Sequence, residues 1–192
     1  MFFKSVRLPA EAYGYWWYIS PITGSLIRLN RKPNRVIDSI PPKVQLALNL
    51  SDNPYNLKIP KVKELGTSQN QQQDKIKQLQ KFNDRFLKIG NSNFLLSLIY
   101  SKFQKPLFNN TVEALNAINQ LNEHQKNWEN LCLQRALLAA KTSESFSQNG
   151  VILIGAFLPL ASMHAWIIEN GEQPDLRDRG WINFKPLLAL TC

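Results

Sequence analysis

Asn170-Gly171 constrains this chain more than any other pair in its 192 residues. It follows the largely apolar run Met163-His164-Ala165-Trp166-Ile167-Ile168-Glu169. A two-residue hairpin loop of type I′ needs positive φ at both central positions, and Asn-Gly meets that need at the least steric cost. The pair therefore predicts a tight hairpin whose first strand is 163–169. In that register Glu169 faces Glu172, Trp166 faces Asp175 and His164 faces Arg177. Side chains alternate along a strand, so His164, Trp166, Asp175 and Arg177 share one face. Asp175 becomes the diagonal neighbour of His164, within side-chain reach, while Asp178 faces Met163 and points the other way. Pro174 cannot donate to a ladder, so the second strand is an edge or is interrupted. A longer turn would shift the register.

Upstream, 151–157 reads Val-Ile-Leu-Ile-Gly-Ala-Phe, a buried strand ended by Pro159. Before it, Leu133, Ala136, Leu137 and Ala140 repeat at helical spacing. Asn127 and Asn130 are both acceptable N-caps for that helix, which puts Cys132 in or near its first turn. Unpaired amides and the positive end of a helix dipole favour a thiolate there. Thiol, imidazole and carboxylate are the parts of a nucleophilic triad, with Cys132, His164 and Asp175 as the candidates. Each also has a plain structural explanation. A cysteine on an apolar helix face packs as a small hydrophobe, and a strand histidine is more often structural than catalytic. His124 sits in a polar helical stretch and reads as surface. Cys192 ends the chain and reads as inert. Two cysteines make neither a zinc motif nor a disulfide framework.

The first half has a different character. Residues 13–19 are aromatic and favour a strand, and Ser20-Pro21-Ile22-Thr23-Gly24 reads as a turn. A second strand is expected at 25–30 and a short third at 35–38, then a helix starting after Pro41-Pro42. Residues 51–74, with Pro54, Pro60, Gly66 and the glutamines 71–73, read as a linker with the glutamines in a loop. Helical periodicity begins after Asp74 with Ile76, Leu79, Phe82, Phe86 and Ile89. The run 94–100 is almost wholly apolar and fits a buried helix or a strand, with its neighbours favouring helix. Thr111 caps a further helix carrying Val112, Leu115, Ile118 and Leu121.

The net charge of +9 is concentrated early: residues 1–63 carry ten Lys/Arg against three Asp/Glu, and 104–192 carry seven against eight. A basic first half attracts an acidic partner, although ordinary solubility charge accounts for it as well. Trp16, Trp17 and Tyr18 near Arg28 and Arg31 raise nucleic acid as a partner, but no base-reading motif accompanies them, and none is expected. There is no secretory signal pattern and no stretch long and apolar enough to span a bilayer. A cytoplasmic location with reduced thiols is the expectation.

Residues 131–190 resemble the leader peptidase of lasso-peptide biosynthesis, the B-type maturation protein with a transglutaminase-like fold. The resemblance rests on Cys132-Leu133-Gln134-Arg135-Ala136, on the strand glycine in Ile154-Gly155, and on His164-Ala165-Trp166. It implies an α+β chain in which a small winged-helix-like module precedes a transglutaminase- or papain-like domain. In that domain the cysteine starts a helix packed on an antiparallel sheet. The implied division is 1–66 for leader-peptide recognition, 67–103 for a linker and helical segment, and 104–192 for the peptidase. Cys132 would be the nucleophile, His164 the base and Asp175 the orienting acid. The implied partners are the leader region of a precursor peptide and an asparagine-synthetase-like lasso cyclase. No cofactor is expected in this chain, and any ATP would be used through the cyclase. Leader recognition is expected by addition of a strand to a sheet edge. A transglutaminase-like acyltransferase and a non-catalytic peptide-binding module are the alternatives.

Overall fold

The computed structural model describes residues 3–33, 40–52, 69–87, 105–123, 131–158, 160–175 and 180–192. The expected elements at 35–38 and 94–100 lie outside them, as do His124, Asn127, Asn130, Pro159, Arg177 and Asp178. The described residues form an α+β structure with two antiparallel sheets. The strands are β1 (Lys4–Arg7), β2 (Ala10–Ala12), β3 (Tyr15–Ile19), β4 (Leu26–Leu29), β5 (Gly150–Phe157), β6 (Ser162–Glu169) and β7 (Lys185–Thr191). The helices are α1 (Pro42–Asp52), α2 (Gln69–Leu87), α3 (Thr111–Leu121), α4 (Cys132–Thr142) and α5 (Glu144–Asn149). None of the described helices is long and apolar enough to cross a membrane.

The larger sheet has the order β1-β7-β5-β6 and the smaller one β2-β3-β4. β5 lies inside the larger sheet and is covered on both faces, which is why its sequence is a continuous apolar run. On one face Ile152, Ile154, Ala165, Ile167, Leu188 and Leu190 join Leu115 and Ile118 of α3 and Leu137 and Ala140 of α4 in the main core. On the other, Val6, Val151, Leu153, Trp166, Ile168 and Ala189 pack with Val44 and Ala47 of α1. Burying each such large side chain contributes roughly 1.5–3 kcal/mol.

This second core changes how the first half relates to the rest. β1 pairs with β7, with Lys4 opposite Thr191 and Arg7 opposite Leu188. α1 begins at Pro42, as the paired prolines predict, and its apolar stripe closes the second face of the C-terminal sheet. The segment expected to be the recognition module thus supplies a strand and a covering helix to the C-terminal sheet. β7 itself receives no assignment from sequence reading, although Leu187-Leu188-Ala189-Leu190 is buried throughout.

Three local expectations need correction. The glutamines 71–73 belong to α2, which starts at Gln69, not after Asp74. Leu79 of α2 is buried in the main core, and Asn83 donates a buried hydrogen bond of 2.8 Å to Asn122. Tertiary packing thereby recruits a polar run that looks like a loop. Tyr13-Gly14 are not strand but the two-residue turn between β2 and β3, with φ of 55° and 76°. The Tyr13 hydroxyl donates to the Leu158 carbonyl at 3.3 Å, which helps hold that unusual tyrosine in place. Finally, Asn110 caps α3, one residue before Thr111. Its side chain accepts from the Glu113 amide at 2.9 Å and donates to the Glu113 carboxylate at 2.7 Å, a reciprocal capping arrangement.

Candidate active site

Cys132 is the first residue of α4. Leu131 precedes it as N-cap and makes no side-chain capping bond. The first intrahelical bond runs from the Arg135 amide to the Leu131 carbonyl at 2.9 Å, so the Cys132 and Leu133 amides precede the ladder. The Cys132 side chain is half-buried against the main core, beside Leu131 and Leu133.

One turn further on, Arg135 is buried at the start of the apolar run Ala136–Ala140. Its Nη2 donates to Asp175 Oδ2, and the two side chains are 7% and 9% exposed. Exposure this low removes most solvent screening, so the pair is held strongly once formed. The Arg135 Nε is buried without a hydrogen-bond partner. The Asp175 amide donates to Gln173 Oε1, and Gln173 is also buried.

The hairpin that carries this carboxylate forms as its sequence demands. Asn170 and Gly171 have φ of 52° and 78°, and Glu169 and Glu172 exchange two backbone bonds of 2.9 Å. Glu169 also pairs with Gly150 of β5, so Glu172 lies on the side of β6 away from β5. There the ladder stops. Gln173, Pro174 and Asp175 are not strand, so the expected pairing of Trp166 with Asp175 is not formed as a ladder. Pro174 has no amide proton to extend it. Asp175 is instead turned towards α4, where Arg135 receives it.

His164 is half-buried in β6, opposite Gly155 of β5. Its ring stacks on Trp166, with centroids 6.2 Å apart and planes at 16°, and tilts against Phe184 at 5.1 Å. Phe184 in turn meets Phe157 at 6.2 Å, and Phe157 is 38% exposed. A row of aromatic rings thus runs from the buried Trp166 through the imidazole to the surface. Gly155 is obligatory here: a Cβ would lie 2.6 Å from the Lys185 carbonyl oxygen and 2.9 Å from the Trp166 ring. The β7 register also shifts between Ile154 and Gly155, bringing that carbonyl close.

Of the three candidates, Asp175 is tied to the Cys132 helix through Arg135. His164 and Trp166 share the face of β6 that looks towards α1, whereas Cys132 packs with the core on the opposite face. The two faces meet at the edge of β6 along which 172–175 departs. Thiol–imidazole chemistry requires Cys132 to meet His164 around that edge.

Sequence reading missed two further buried groups. Arg135 figures there only as a motif residue, yet a charged side chain within an apolar helical run is itself a sign of a buried partner. Glu169 accepts from Thr111 Oγ1 at 2.8 Å and Ser145 Oγ at 2.7 Å, close to the N-termini of α3 and α5. Anions are favoured at helix N-termini, so this carboxylate pins the hairpin end to both helices. Burial pushes the Cys192 thiol up to about 11, partly offset by the nearby Lys43. Cys192 is therefore a neutral thiol around pH 7. A hollow of about 90 Å³ between α1 and the hairpin, lined in part by Lys43, Leu46 and Ile168, holds none of the three candidates. Among the described residues no group of three or more His, Cys, Asp or Glu side chains is placed to hold a metal ion. Comparisons with protein-family models, with curated proteins and with solved structures returned no match to this chain.

Proposed function

We propose that this protein is a cysteine peptidase that removes the leader from a ribosomally made precursor peptide during lasso-peptide biosynthesis. The observation that carries the reading is the tie between the first turn of α4, which bears Cys132, and the buried Asp175 that follows the His164 strand. A thiol at a helix start, a strand histidine and a carboxylate just past a hairpin make the layout of a transglutaminase-like core. A winged-helix-like N-terminal module belongs to the same reading.

In this mechanism His164 takes the Cys132 thiol proton, and Sγ adds to the carbonyl carbon at the leader–core junction. The carbon–nitrogen bond breaks as the imidazolium protonates the leaving amine, which frees the core peptide. Water, deprotonated by His164, then adds to the thioester. The leader leaves as a carboxylic acid and the thiol is regenerated. Asp175 holds the imidazole in the required tautomer, and the Cys132 amide is the candidate oxyanion donor. Recognition of the leader falls to the basic N-terminal strands, by strand addition. A lasso cyclase is the partner that uses ATP and closes the ring; this chain needs no cofactor of its own.

Incubation with a precursor peptide, followed by mass spectrometry, tests the reading. Cleavage at one peptide bond is expected, and Cys132→Ala should abolish it without unfolding the chain. Incorporation of an added amine at that carbonyl, in place of water, would mark an acyltransferase. The packing of Cys132 and His164 against opposite faces of the sheet favours a second reading, a non-catalytic peptide-binding module. That reading predicts precursor binding with no cleavage and no dependence on the thiol.

A further inference from the structure

We infer that Arg135 is a positioning residue for the Cys132–His164–Asp175 chemistry, an assignment that rests on the peptidase reading above. Arg135 follows Cys132 by three residues, so the two share one side of the first turn of α4. Its guanidinium binds Oδ2 of Asp175, and both side chains are more than nine-tenths buried. One contact therefore fixes both the helix turn that carries the nucleophile and the carboxylate that serves the base.

Stability alone is a poor account of this pair. Burying two charges incurs a desolvation cost that their attraction recovers only when the hydrogen bonding is complete. Here it is incomplete, because Nε of Arg135 is buried without a partner. A well-packed apolar pair would fill the same space without that cost. The geometry points to placement: the guanidinium holds the carboxylate beside the turn of α4 that carries Cys132.

The test uses the full-length chain in a Cys192→Ala background, so that alkylation by iodoacetamide reports Cys132 alone. The alkylation rate is followed from pH 5 to pH 10 in the parent, Arg135→Lys and Arg135→Gln. Precursor cleavage is measured beside it. In the parent, measurable alkylation of Cys132 and cleavage of the precursor are expected. Arg135→Lys keeps the charge but presents it as a compact ammonium. It should lower the alkylation rate at pH 7 and kcat by about tenfold to a hundredfold, and leave KM within about twofold. A folded Arg135→Lys or Arg135→Gln protein with the parent's alkylation rate and kcat would overturn the positioning role while leaving the peptidase reading intact. If neither variant melts cooperatively, Arg135 is a folding residue and the assignment falls. A parent that does not cleave the precursor would overturn the peptidase reading, and this inference with it.

Discussion

Val6 sits opposite Ala189 in the antiparallel ladder that joins the first strand of the chain to the last. Both are buried in the core that Val44 and Ala47 of α1 complete. The N-terminal residues therefore belong to the folding unit of the C-terminal sheet, whatever part they play in recognition. A chain beginning near Thr67 loses β1 and α1 together. It should fail to melt cooperatively by circular dichroism, so the loss of precursor processing would not by itself locate the recognition surface. Val6→Asp in the full chain should cost about 3 kcal/mol in urea unfolding, because it buries a charge with no partner provided for it.

The ion pair of Asp175 with Arg135 and its proposed part in the chemistry can be separated by measurement. Asp175→Asn leaves the Arg135 guanidinium buried and unpaired, which should cost about 3–5 kcal/mol. In the peptidase reading it should also lower the cleavage rate by about a hundredfold or more. The double variant Arg135→Met/Asp175→Leu should recover most of the stability, as apolar replacements of buried pairs do, and recover none of the activity. Thermal melts beside cleavage rates decide this. Recovery of cleavage in the double variant would remove Asp175 from the chemistry.

Gly155 is the tightest point around His164. Gly155→Ala places a methyl 2.6 Å from the Lys185 carbonyl oxygen, a backbone atom that can yield only if β7 shifts. The cost should be about 1–3 kcal/mol in chemical unfolding, in the range of overpacked cores. The Trp166 ring must move as well, and His164 stacks on it. Ring resonances of His164 in NMR spectra should therefore shift, and in the peptidase reading cleavage should be lost at a temperature where the variant is still folded.

Two half-buried groups shift the alkaline stability profile in opposite directions. Burial lowers Lys141 from 10.5 to about 8, so the folded chain resists its charge. That penalty is present below about pH 8 and disappears as pH rises towards 10.5, where the unfolded lysine also becomes neutral. Burial raises Cys192 from 9.0 to about 11, so its contribution is full below pH 9 and is lost between 9 and 11. Stability should therefore rise between about pH 8 and 9 and flatten or fall above that. Lys141→Met should raise the melting temperature at pH 7 and remove the rise. A Lys141→Met protein with an unchanged profile would mean that this lysine is not the source.

Local chemistry settled by neighbouring residues was legible in the sequence itself. Asn170-Gly171 dictated a two-residue turn because few residues other than glycine and asparagine accept positive φ readily. The paired prolines set the start of α1, and the apolar stripe from Leu133 to Ala140 set the buried side of α4 with Cys132 at its head. Tertiary structure decided everything that required two distant segments to meet. The pairing of β1 with β7 joins residues more than 180 positions apart, and no local pattern encodes that choice. The glutamines 71–73 became helix because Leu79 and Asn83 found partners in the core and on Asn122. Pro174 ended the hairpin ladder and turned Asp175 to Arg135, a destination set by the electrostatic demand of a buried guanidinium and not by strand parity.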